Sequence, residues 1–143
     1  MNANTSKPVV LHEVSLGVTG ESDIAEAVRR ARRMAQALGL DKVQVHYVAT
    51  AAAELAANLW FHGGGGRFEA HLHEDAQTRQ RSLELATIDR GPGIADIGLA
   101  LKEGYSTTGG LGCGLSGVQR LMDELKIETQ PGQGTVVRAR KWL

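Results

Sequence analysis

Apolar and polar positions change their period several times along the chain, and each change marks an element. Residues 9–16, Val9-Val-Leu-His-Glu-Val-Ser-Leu16, are rich in β-prone side chains and are followed by Gly17 and Gly20, which predicts an opening strand. After Ser22, placed to cap a helix, Ile24, Ala27, Val28, Ala31, Ala35 and Leu38 recur at helical spacing until Gly39 stops them. The opposite face holds Arg29, Arg30, Arg32 and Arg33, which reads as solvated surface, since charged outer faces are the rule on amphipathic helices. A second helix is predicted over about 41–61, where alanines at 49, 51, 52, 53, 56 and 57 favour helix and permit close packing. The glycines 63–66 end it.

Two strand-like stretches follow, 67–72 and 82–88, joined by the charged link 73–80, and together they predict a β-hairpin. Asp89-Arg-Gly-Pro-Gly-Ile94 reads as a turn, 95–102 as a short helix, and 103–114, rich in Gly, Ser and Thr, as a loop. A further helix is predicted over 115–125, with Leu115, Val118, Leu121, Met122 and Leu125 toward the core. Strands at 126–129 and 135–141 close the chain around Gln130-Pro-Gly-Gln-Gly134. Without internal repeats or a linker, this reads as one α+β domain over 1–143, a two-layer sandwich of mainly antiparallel strands with helices on one face.

Composition narrows the function classes. A chain of 143 residues with 42% hydrophobic and 22% charged residues is long enough to fold on its own core. The aliphatic run 48–53 is far below the roughly 18 apolar residues of a membrane span, and residues 1–8 lack the apolar region of a secretory signal, so a cytoplasmic setting is expected. Sixteen Lys and Arg balance sixteen Asp and Glu, leaving no electrostatic footprint for nucleic acid. One cysteine, Cys113, excludes a disulfide framework and the CxxC zinc sites. Glycine is the outlier: nine of the 18 fall at 91–117, which suggests a backbone that must approach something closely.

Three local patterns carry candidate chemistry. Glu54 and Asn58, in Glu54-Leu-Ala-Ala-Asn58, lie one turn apart on one helix face. The carboxylate could take a proton from an attacking hydroxyl, and the amide oxygen is a hard ligand suited to Mg²⁺. The same spacing also fits an ordinary solvent-facing pair. Asp89 stands where a strand ends and the Gly91-Pro-Gly93 turn begins, placed either to meet a base edge or simply to start the turn. Gly109-Gly-Leu-Gly-Cys-Gly-Leu115 runs into a helix, whose free N–H groups and dipole suit phosphates. The GxGxxG at 112–117 follows no buried strand and lacks the later acidic partner, so it is no dinucleotide fingerprint. Neither is there a P-loop. His71 and His73 alternate along one strand edge, and zinc wants four converging groups, so they read as structural. His12 and His46 read the same way. His62 could reach a phosphate or favour the helix C-terminus.

In order and spacing these motifs resemble the GHKL ATPases, with the Bergerat fold. Glu54-Leu-Ala-Ala-Asn58 resembles the N-box, Asp89-Arg-Gly-Pro-Gly-Ile94 the first glycine box, Gly110-Leu-Gly-Cys-Gly-Leu115 the second, and Gly132-Gln-Gly-Thr135 the closing GxGT. Residues 104–129 and the terminal Arg140-Lys-Trp142 are similar to the RsbT-type switch serine/threonine kinases of the anti-sigma regulatory family. The resemblance implies a kinase that transfers the ATP γ-phosphate to a STAS-domain regulator of a stressosome. On release it would bind and activate a PP2C-type phosphatase. By position it implies Glu54 as general base and Asn58 as Mg²⁺ ligand. Asp89 would take the adenine amino group, with Gly91, Gly93, Ile94 and Thr135 around the ring. Gly110, Leu111, Gly112, Gly114 and Leu115 would wrap the triphosphate, with Ser106, Thr107 and Thr108 reaching it from the lid. Ala57 departs from the family pattern, where a basic residue is common. An anti-sigma factor of the same fold and a catalytically weak partner switch are the alternatives, and monomer or homodimer is left open.

Overall fold

The computed structural model describes residues 9–94, 96–101 and 114–143. The chain begins with strand β1 (Val9–Val18), then helices α1 (Asp23–Ala37) and α2 (Lys42–Phe61), then the hairpin β2 (Gly66–Glu74) and β3 (Arg81–Ile88). A single turn of helix, α3 (Ile97–Ala100), and helix α4 (Gly114–Leu121) precede the closing hairpin β4 (Glu124–Gln130) and β5 (Gly134–Trp142). The strands form one five-stranded sheet in the order β1-β2-β3-β5-β4, every neighbouring pair antiparallel.

Alternation along the strands separates the two faces of the sheet. Phe68 and Ala70 of β2, Leu83 and Leu85 of β3, and Val137 and Ala139 of β5 are buried in one core with residues of α1, α2 and α4. Helix α1 buries Ala27, Ala31, Met34 and Ala35, while α2 buries residues on most of its circumference, small alanines among them. Those small alanines let α2 lie close against the sheet, α1 and α4. The other sheet face carries Glu13, Glu69, His71, His73, Glu84, Arg138 and Arg140, and none of the helices packs on it among the described residues.

Local signals set the ends of the long helices. Asp41 caps α2 by accepting the Gln44 N–H at 2.8 Å. Helix α1 ends in a Schellman arrangement, in which the Gly39 N–H donates to the Gln36 carbonyl and the Leu40 N–H to the Ala35 carbonyl. Its start differs from the expectation. Ser22 stands at the cap position without a side-chain bond; Asp23 instead accepts the Thr19 N–H at 2.9 Å and ties the turn before the helix.

The predicted helix over 115–125 is shorter, and Leu125 belongs to β4. The Asp123 N–H donates to the Arg140 carbonyl, and the Asp123 carboxylate accepts the Trp142 N–H, both at 2.8 Å. The ladder with β5 therefore captures the chain, and Leu125, opposite Ala139, still packs on the core. The helix predicted over 95–102 contracts to α3, capped by Asp96 through the Leu99 N–H. No helix among the described residues is long and apolar enough to cross a membrane.

Candidate functional site

The C-terminal half of α2, the end of β3, the start of β5 and the start of α4 meet at one edge of the core, and the candidate residues come with them. Glu54 points inward from α2 and is only 5% exposed, which removes the reading of Glu54 and Asn58 as a solvent-facing pair. Its Oε2 accepts the Gly114 N–H, the first residue of α4, at 3.1 Å. Burial pushes the Glu54 carboxyl above its ordinary range, and the Gly114 bond pulls partly back. The balance leaves Glu54 with a higher proton affinity than an exposed carboxylate. Asn58 stands one turn further along α2, half-buried. Its carbonyl accepts the His62 and Gly63 N–H groups, and its side-chain amide bonds no described residue.

Asp89 follows β3 directly. Its Oδ1 accepts the Gly91 N–H at 2.8 Å and the Thr135 N–H at 3.2 Å, and its own N–H donates to the Thr135 carbonyl at 3.0 Å. Both backbone bonds fall on one oxygen, so Oδ2 is without a hydrogen bond among the described residues. The carboxylate is thereby clamped with one acceptor unspent. Thr129 of β4 completes the frame: its hydroxyl accepts the Ile94 N–H at 2.8 Å and meets the Thr135 hydroxyl at 2.9 Å. Gly93 packs against the Gln130 carbonyl. Leu115 is buried beside Gly114.

Thus Glu54 and Gly114 are joined directly, and Asp89, Gly91, Ile94 and Thr135 form one bonded group. Asn58 lies between these two ends on α2. Ser106, Thr107, Thr108, Gly110, Leu111, Gly112 and Cys113 lie outside the described residues.

Two contributors, Gly63 and Thr129, escape a reading by motif, and Gly134 gains a reason that its motif alone does not give. A Cβ on Gly63 would stand 2.6 Å from the Asp89 Cγ, so only glycine lets the end of α2 close on that carboxylate. A Cβ on Gly134 would collide with the Asp89 carbonyl oxygen. Thr129 has no motif signature at all. A signal for Gly63 did exist, because stopping a helix takes one glycine and the chain has four. A cavity of about 570 Å³, lined by Val14, Arg30, Arg33, Met34 and Leu72 among others, lies between β1 and α1 and holds none of the candidate residues.

His71 and His73 have the near ligands that their spacing in sequence did not reveal. Glu84, on the neighbouring strand, stands 3.7 Å from His71 and 4.0 Å from His73. Although burial works against its charge, the two rings and Arg140 hold the Glu84 carboxyl down to about 2.

Residues 20–141 match the histidine kinase-like ATPase domain family. The chain is 40% identical over 123 residues to the serine/threonine-protein kinase RsbT of Bacillus subtilis (strain 168), covering 86% of this chain and 91% of that relative. It is 29% identical over 101 residues to an anti-sigma F factor of Clostridium beijerinckii, covering 68% of this chain and 71% of that protein. In fold it is similar to the crystal structure of the RsbU and RsbW domains of a Mycobacterium tuberculosis protein, with a TM-score of 0.62 at 15% identity, covering 91% of this chain and 32% of that one. It is also similar in fold to the SiaB–SiaC complex from Pseudomonas aeruginosa, with a TM-score of 0.52 at 16% identity, covering 94% and 91%.

Proposed function

The chain belongs to the histidine kinase-like ATPase family and, within it, to the RsbT-type serine/threonine-protein kinases, and from that premise we propose that it phosphorylates a STAS-domain regulator in a stressosome-type partner-switching system. When released from that regulator it binds and activates a PP2C-type phosphatase. It works in the cytoplasm, and residues 1–143 act as a single catalytic domain. The observation that carries the reading is the buried Glu54 carboxylate at the N-terminus of α4, on the same helix as Asn58 and across from the clamped Asp89.

The donor set fits a magnesium nucleotide. Asp89 Oδ2 is the free acceptor for the adenine amino group, and Gly63, Gly91 and Gly93 keep the surrounding backbone close and unobstructed. The Asn58 amide oxygen is the hard ligand for Mg²⁺. ATP with its metal supplies the phosphoryl group. Phosphoryl transfer depends chiefly on positioning and charge stabilisation. Glu54 would take the proton of the incoming serine or threonine hydroxyl, and the start of α4, whose Gly114 N–H is bonded to Glu54, would offer its dipole and following N–H groups to the phosphates. By the family resemblance, Ser106, Thr107, Thr108, Gly110, Leu111 and Gly112 would contribute the remaining phosphate contacts.

The test is transfer of labelled γ-phosphate from ATP to a purified STAS protein. Wild type transfers, Glu54→Ala binds ATP without transferring, and Asn58→Ala loses metal-dependent affinity. Transfer by Glu54→Ala at the wild-type rate would overturn the general-base role. Thermal stability gives an earlier check, since ATP at about a hundred times its Kd adds roughly 2.7 kcal/mol. A Mg²⁺-dependent shift absent from Asp89→Asn supports the nucleotide site. The similarity to anti-sigma F factors favours a second reading, sequestration of a sigma subunit. A stable complex with a sigma factor would select it.

A further inference from the structure

One row of paired residues crosses the open face of the sheet, a single residue from each strand: Glu13, His71, Glu84, Arg140 and Glu124. Directly paired residues of antiparallel strands project to the same side, so the row sets acid, imidazole, acid, guanidinium and acid side by side. Its charges alternate throughout when the His71 position carries positive charge. Glu69, two residues before His71 on β2, points to the same face and adds another carboxylate.

The contacts of the His71 ring are divided between its nitrogens. Nε2 lies 3.0 Å from Glu13 Oε2 and 3.2 Å from Glu69 Oε1, whereas Nδ1 faces Glu84 Oε1 at 3.7 Å. His71 is only 7% exposed. Its Nε2, close as it is to two carboxylates, makes a hydrogen bond with neither. A buried ring nitrogen without a hydrogen-bond partner is costly. A position ringed by carboxylates meets that cost with a cation.

We propose that His71 Nε2, Glu13 and Glu69 bind a divalent transition-metal ion of the zinc type, with Glu84 behind the ring as the outer carboxylate. Zinc takes imidazole nitrogen and carboxylate oxygen at about 2.0–2.2 Å, and the three donor atoms already lie within 4.8 Å of one another. A carboxylate behind the ligating imidazole is the recurring arrangement that fixes the tautomer and aims the other nitrogen at the metal. The Glu69 oxygen used by Arg67, Oε2 at 2.7 Å, is not the one facing His71. Glu13, with its side chain 56% exposed, opens the site to solvent. The alternative set of His71 Nδ1, His73 and Glu84 is poorer, because Arg138 and Arg140 already occupy Glu84 at 3.4 and 3.0 Å and repel a second cation. Metal here joins β1 to β2, and it is independent of the nucleotide site.

Calorimetric titration of ZnCl₂ into the metal-stripped full chain at pH 7.5, without nucleotide, tests the site. The expected result is one saturable site, weakened at least about tenfold by Glu13→Gln and by His71→Gln, and unchanged by His73→Gln. Glu13→Gln alters an exposed side chain, and its circular dichroism spectrum confirms that the fold survives. Absence of saturable binding overturns the proposal and leaves a proton on His71 as the cation of the row. Binding that persists in Glu13→Gln, or that disappears in His73→Gln, also overturns it by placing the metal elsewhere.

Discussion

The two carboxylates of the candidate site, Asp89 and Glu54, are held by opposite means. Asp89 is half-buried and gripped through one oxygen by two backbone N–H groups, so its orientation is set by the β3–β5 pairing. Glu54 is almost wholly buried, receives one N–H from the start of a helix, and has its proton affinity raised. A group that must recognise a base needs a fixed free acceptor. A group that must receive a proton needs desolvation. In the proposed mechanism the same functional group would serve two roles, according to whether the backbone or the core surrounds it.

The largest break in this comparison is Glu54→Ala, expected to cost about 10² to 10⁴ in phosphotransfer, the span of a lost general base, while ATP affinity stays near wild type. Glu54 also has a stability signature. Its folded-state affinity for a proton is raised, so its contribution to stability is fully present below the unfolded value of 4.5 and is lost as pH rises through the higher folded value. At pH 7 the buried charge is a burden. Glu54→Gln can still accept the Gly114 N–H, and should therefore unfold at higher urea than wild type at pH 7, with the gap closing toward pH 4. A midpoint difference independent of pH would mean that desolvation does not govern this residue.

Next in size is Gly63→Ala. The added methyl must push back the Asp89 carboxylate or the end of α2, an overpacking expected to cost about 1–3 kcal/mol of stability together with nucleotide affinity. Asp89→Asn separates those two readouts. The amide oxygen can keep the Gly91 and Thr135 bonds, but an NH₂ replaces the free oxygen. ATP affinity should fall by about 1.5–3 kcal/mol, the scale of a bond to a charged group, with little change in melting temperature. Equal losses in both would show that Asp89 is chiefly structural. The smallest effect is expected from Thr129→Val, which removes the hydroxyl between Ile94 and Thr135 at about 1 kcal/mol, read by denaturant unfolding.

Most of the regular structure was legible because its causes are local. Asp41 and Gly39 bound their helices, alternation made the two hairpins, and the four motifs stood in order along the chain. Only the last turn of the helix predicted over 115–125 failed, because its apolar positions satisfy a helix and a strand alike; the bond from Asp123 to Arg140, a partner 17 positions away, settles the choice. Gly63 was read as punctuation because its reason, the Asp89 carboxylate, lies 26 positions further on. His71 and His73 read as isolated because Glu13 and Glu84 approach them only through strand register.

By itself, then, the sequence determined the elements, the order of the motifs and the family to which they belong, since these depend on residue type and short spacing. Tertiary structure alone decided that Glu54 is buried, that Asp89 keeps one oxygen free, and that three carboxylates converge on His71. Burial, pairing register and close approach are properties of segments distant along the chain, and they exist only once the sheet has brought those segments together.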